Sequence, residues 1–193
     1  MRWGRAFGVV VGLSLVLSLD RFLPPSSVDT KRVGKLVNHD SDLARLSSPI
    51  ALRRNGELLI ADRALRCGSV RNVLDPGLPT LGSASPGVVV LNPYLLNRQP
   101  EAVRLFVFHH ECGHHQVGAS ELGADCWAVN QGVRQGWLDH QAIEQVCQDF
   151  GNRPASATHP SGARRCASLR QCFAIATAAA ARQKSAAKRR PSW

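Results

Sequence analysis

The spacing of apolar residues changes partway along this chain. Between residues 50 and 91 they come in short runs broken by Gly, Pro, Asn and Asp; from residue 100 onward they recur every three or four positions. The first rhythm belongs to strands and turns, the second to helices. Ile50-Ala-Leu and Leu58-Leu-Ile60 flank Asn55-Gly56, which favours a type I′ hairpin turn. Residues 63–75 carry no clear period. The stretch from Asp75-Pro-Gly-Leu-Pro79 to Pro86-Gly87 reads as loop, and Val88-Val-Val-Leu91 as a strand ended by Asn92-Pro93.

Four helices follow. The first covers about 100–115, with Pro100 in its opening turn; it is apolar on most sides between 105 and 108 and is therefore expected to be buried. The second, 121–135, shows Leu122, Cys126, Val129 and Val133 on one stripe, with Gly136 as its stop. Asp139 caps a third helix, which turns Ile143, Val146, Cys147 and Phe150 to one face and ends at Gly151. Pro160 opens a fourth, with Cys166, Leu169 and Phe173 inward; its helix-prone end, Ala174 to Ala187, frays into a basic tail. The sum predicts an α+β fold, a small domain whose short sheet and hairpin pack on a helical half.

The ends of the chain carry a different signal. Arg2 and Arg5 precede an apolar run, Ala6 to Leu19, the pattern of a secretory signal and too short for a comfortable membrane span. Residues 1–25 thus read as a signal peptide or an N-terminal anchor. Residues 26–48 read as a linker or propeptide-like segment, with a short helix near 40–46. The domain is expected over 49–176 and a basic flexible tail over 177–193. Six cysteines fit an exported, disulfide-bearing protein, periplasmic or secreted. On a helix Cys166 and Cys172 lie about 9 Å apart along the axis, too far to bond each other, so they need different partners. The net charge of +10 owes much to the tail, a solvated end suited to an anionic envelope polymer or lipid surface. No nucleic-acid-binding motif accompanies it, so no specific nucleic acid is expected.

Within the first helix, residues 110–114 read His-Glu-Cys-Gly-His. The i, i+4 step puts His110 and His114 on one helix face about 6 Å apart, the arrangement that aims two imidazoles at one zinc ion. Glu111 sits one step round, placed to act as general base on a water held by that ion. A catalytic zinc needs a third protein ligand. Glu121 is the first choice, with Asp125, His115 and His140 as alternatives. On one straight helix Glu121 would lie about 10 Å beyond His114. The chain must therefore break, and Gly118 and Ser120 suit a helix stop followed by a new N-cap. Asp125, one turn after Glu121, would accept the second N–H of a ligand histidine. His109 and His115 point away from the ligand face.

These residues resemble the gluzincin zinc peptidases, in particular the M48-like (Ste24/HtpX-like) group, over roughly residues 88–170. That group pairs HExxH with a later E-x-x-A-D, here Glu121-Leu-Gly-Ala-Asp125. Thr158-His159-Pro160 through Arg164-Arg165 is similar to its T-H-P-x-x-x-R segment. The gap from His114 to Glu121 is shorter than is usual in that group, and its membrane helices are missing. The resemblance implies a zincin-like domain with one Zn2+ held by His110, His114 and Glu121, the base role on Glu111, and a polypeptide substrate.

Hydrolysis by this route needs a second donor for the tetrahedral oxyanion. His159 is the first candidate, ahead of Arg164, Arg165 and Tyr94. A strand such as 88–91 beside the cleft offers an edge for an extended substrate. The rival readings are a non-catalytic zinc-stabilised binding module of the cell envelope, and a hydrolase of another amide such as a peptidoglycan cross-bridge.

Overall fold

The structure, a computed structural model, describes residues 48–189. The signal or anchor segment, the short helix expected near 40–46 and residues 190–193 lie outside the described residues. Those described form an α+β fold of six strands and five helices. Instead of one short sheet there are two. Strands β1 (Ala51–Leu52), β2 (Leu58–Ile60) and β3 (Arg63–Leu65) make an antiparallel meander. Strands β4 (Arg71–Leu74), β5 (Gly82–Ser85) and β6 (Val88–Leu91) make a mixed sheet in the order β4-β6-β5, with β4 parallel and β5 antiparallel to β6. The helices are α1 (Pro93–Leu96), α2 (Glu101–Val117), α3 (Glu121–Gln135), α4 (His140–Phe150) and α5 (Gly162–Lys188).

The hairpin forms, but not with the turn its Asn-Gly pair favours. Gly56 adopts a φ of +81° while Asn55 does not go positive. The Arg53 carbonyl accepts from Gly56 N–H and the Glu57 carbonyl from Arg53 N–H, closing a three-residue loop with one left-handed residue. The two-residue turn with both φ positive sits one strand later, at Ala61 and Asp62 (+50° and +58°), where Ile60 pairs with Arg63. Neither residue advertises it, and the strand pairing on both sides must hold it.

Residues 82–85, expected as loop, form β5. Gly-Ser-Ala-Ser has little strand preference of its own; pairing with the β-branched run of β6 supplies it. The expected strand 88–91 is therefore central, hydrogen-bonded on both sides, and the edge beside the cleft belongs to β5.

Helix α2 is buried, as its apolar run requires, between two clusters. Ala102, Val103 and Phe106 pack with Ala128, Val129, Ile143, Val146, Phe150, Leu169 and Phe173 of the helical half. Leu105, Phe108 and Cys112 pack with Leu58, Ile60, Val89 and Leu91 of the sheets. Helix α3 begins and ends where expected, but its buried face is Ala124, Asp125, Ala128, Val129 and Gly132, one step round from the predicted stripe, of which only Val129 is buried. The cause is the closeness of α2: a Cβ on Gly113 would meet the Ala124 backbone at 3.0 Å, so only small residues fit between the helices. Helix α5 runs on to Lys188, through the helix-prone stretch Ala174 to Ala187 and into the segment given to the basic tail. Its alanine-rich stretch has the strongest helix propensity available, and residues 181–189 are exposed.

All six cysteines pair. Cys67–Cys112 ties α2 to the connection between β3 and β4, Cys126–Cys172 ties α3 to α5, and Cys147–Cys166 ties α4 to α5. Cys166 and Cys172 do bond different partners, and this cysteine usage is that of an oxidising compartment. No helix among the described residues is long and apolar enough to cross a membrane.

Candidate metal centre

The break after α2 brings the sequence-predicted residues together. Gly118 has φ +76° and ψ −152°, a conformation open essentially to glycine alone, and its N–H donates to the His114 carbonyl. Two residues on, Ser120 caps α3, its Oγ accepting from Gly123 N–H at 3.1 Å. The chain reverses, and Glu121, the first residue of α3, returns to the histidines. His110 Nε2 and His114 Nε2 lie 3.2 Å apart. Glu121 Oε2 is 3.4 Å from the first and Oε1 3.5 Å from the second.

These distances have a meaning. Ligands about 2.0–2.1 Å from one ion at tetrahedral angles sit about 3.3 Å from each other. The two Nε2 atoms stand near that spacing, a Glu121 oxygen approaches each of them, and one ligand atom from each of His110, His114 and Glu121 lies within 4.8 Å of the other two, a group that could hold one metal ion.

The outer contacts of the rings point the same way. His110 Nδ1 lies 2.8 Å from Asp125 Oδ1 and His114 Nδ1 lies 2.9 Å from the Gly118 carbonyl oxygen. The Asp125 carboxylate and the Gly118 carbonyl only accept, so each Nδ1 carries a hydrogen and each ring turns its Nε2 inward. The Glu121 carboxylate is the third of the converging groups. Its Oε2 is buried and has no hydrogen-bond partner among the described residues; at 3.4 Å the approach to His110 is a charge contact rather than a hydrogen bond. Such a cluster calls for a cation.

The charge balance agrees. Burial opposes protonation of His110, yet its hydrogen bond to Asp125, its contact with Glu121 and the nearby carboxylate charges prevail and raise its pKa to about 9. A field that holds a proton in a buried place also favours a metal ion. Burial pushes the Glu121 and Asp125 carboxyls up, but His110, His159 and Arg165 for the first, and Arg165 and His110 for the second, outweigh it and leave both below the usual range. Glu111 differs. Burial raises it, and the charges of His110 and His114 only partly offset that.

The centre opens into a cleft of about 1400 Å³ lined by β5, α2, Glu121 and residues 153–160. Glu111 lies in its wall against β5: a Cβ on Gly82 would meet Glu111 Cγ at 2.9 Å. His159 stands opposite, on the exposed 151–161 connection, with Nε2 3.6 Å from Glu121 Oε2 and Nδ1 2.8 Å from Thr158 Oγ1. Arg165 reaches the centre from behind, on Asp125. Arg164 and Tyr94 are exposed and line no part of the cleft. Of the alternative ligands, Asp125 stands behind His110, His115 Nε2 turns to the Val88 carbonyl at 3.2 Å, and His140 packs on Phe173. His109 is a core residue, its Nδ1 donating to the Leu105 carbonyl and its ring beside Trp127 and Trp137. The sequence reading missed Gly82 and its strand, since nothing local marks that stretch as more than loop. No protein-family model, curated protein or solved structure matches this chain.

Proposed function

We propose that the protein is an exported zinc-dependent endopeptidase. The observation that carries this is the convergence of one ligand atom each from His110, His114 and Glu121 within 4.8 Å of one another, with a buried Glu121 oxygen left without a hydrogen-bond partner among the described residues. Two imidazoles and one carboxylate are a donor set of catalytic zinc sites. Zinc held by His110, His114 and Glu121 would supply Lewis acidity, making a water acidic near neutral pH and polarising a carbonyl. The chain's own groups do the rest. Glu111, whose pKa burial raises, takes the proton of the attacking water and passes it to the leaving amine. His159 faces the same space and donates to the developing oxyanion. The free edge of β5 pairs with the main chain of an extended polypeptide across the cleft, which binds substrate with little regard to sequence. The gluzincin-like spacing of HExxH and E-x-x-A-D supports the same assignment. The exposed basic end of α5 would rest on an anionic envelope polymer or lipid surface.

The test is metal analysis combined with casein cleavage, with and without chelator. We expect one zinc per chain and cleavage that chelator abolishes and added zinc restores. Zinc at full occupancy with no cleavage would end the peptidase reading and leave the zinc-stabilised binding module.

A further inference from the structure

Arg165 approaches the metal centre mainly through Asp125, and one Nη also stands 3.4 Å from His110 Nδ1. Its Nε donates to Asp125 Oδ2 at 2.9 Å and one Nη to Oδ1 at 2.6 Å, the two-pronged fit of a guanidinium on a carboxylate. Asp125 Oδ1 is the same oxygen that faces His110 Nδ1 at 2.8 Å. Asp125 is fully buried, the Arg165 side chain is 12% exposed, and its guanidinium lies 4.1 Å over the Phe150 ring. The same Nη lies 4.0 Å from Glu121 Oε2. We infer that Arg165 is a positioning residue which, through Asp125, sets the orientation and tautomer of the ligand His110. The inference rests on the metal-centre reading above.

The physical case has three parts. A buried carboxylate whose only partner was a histidine would turn freely about its Cβ–Cγ bond; the fork holds both oxygens and fixes the plane in which His110 must donate. The guanidinium charge also balances that of the buried Asp125 carboxylate, so that the carboxylate can stand in the interior behind His110. Finally, the pair is fastened covalently on both sides. Cys126 follows Asp125 and bonds Cys172 on α5; Cys166 follows Arg165 and bonds Cys147 on α4. With Nε and one Nη held on Asp125, the guanidinium is a poor candidate for the oxyanion donor.

Cobalt(II) in place of zinc tests this, because its visible absorption reports ligand geometry. Affinity and spectrum are measured for the wild type, Arg165→Met, Arg165→Lys, Asp125→Asn and the double variant Asp125→Asn/Arg165→Met. Arg165→Met should bind cobalt roughly 10–100-fold more weakly with a shifted band, and Arg165→Lys, a charge without the fork, should fall between. The double variant should be no weaker than Asp125→Asn alone, since the guanidinium acts through that carboxylate. A folded Arg165→Met with wild-type affinity and spectrum overturns the inference, and so do additive losses in the double variant. Wild-type cobalt binding with lost cleavage would place the guanidinium on the substrate and overturn it too. If Arg165→Met does not fold, an Arg165→Lys indistinguishable from wild type is decisive against it. A wild type that binds no cobalt removes the metal centre itself, and this inference with it.

Discussion

His114 Nδ1 donates to the carbonyl oxygen of Gly118 at 2.9 Å, so the residue that ends α2 also orients a candidate ligand carried on it. The same glycine sets the return of α3 that delivers Glu121. One backbone conformation thus controls two of the three candidate ligands.

Substituting Gly118 should therefore damage metal binding more than it crowds the protein. A Cβ there would meet nothing within 4 Å, so the effect comes from φ +76° and ψ −152° alone. Holding a non-glycine residue in that region costs about 1–3 kcal/mol. Moving the break relieves the strain but carries Glu121 and the Gly118 carbonyl out of place. We expect Gly118→Ala to melt lower and to lose most of the stabilisation that zinc gives the wild type by mass action. Thermal unfolding with and without zinc measures both. A zinc-dependent rise equal to that of the wild type would show that the break does not control the site.

Glu111→Gln separates metal binding from chemistry. The carboxylate is buried in the cleft wall and is not among the converging ligand atoms, and glutamine keeps its shape without its basicity. Zinc content should stay at the wild-type value while casein cleavage falls by about 10²–10⁴-fold, the range of a lost general base. Cleavage at the wild-type rate would remove Glu111 from the mechanism.

The sequence announced those parts of this site that depend on local signals. Gly118, Ser120 and Gly136 each act within one helical turn, so the limits of α3 and the return of Glu121 could be read in advance. Asp125 followed from helix periodicity alone. What depends on distant pairing was hidden. The Gly-Ser-Ala-Ser of β5 becomes a strand only beside Val88–Leu91, and Ala61–Asp62 turns only because β2 and β3 pair around it. Arg165 was visible as a candidate for the oxyanion. Which side of α5 meets α3 is a packing outcome, and it commits the guanidinium to Asp125 instead.

Gly82 offers a test of that hidden strand. It shows no positive φ, so a side chain there is opposed by space rather than by the backbone. An added Cβ would lie 2.9 Å from both Glu111 Cγ and Val107 Cγ1 and 3.0 Å from Glu111 Oε1. Val107 and Glu111 are one turn apart on the buried helix α2, so the strand or the Glu111 carboxylate must give way, at about 1–3 kcal/mol. Either movement spoils the relation between the base and an extended substrate on the β5 edge. Gly82→Ala should keep its zinc and lose at least about tenfold in kcat/KM, which corresponds to about 1.4 kcal/mol of transition-state stabilisation. Ser83→Ala, its neighbour on the same strand, serves as the control and should retain activity. Equal turnover in Gly82→Ala and wild type would mean that β5 does not set the position of Glu111.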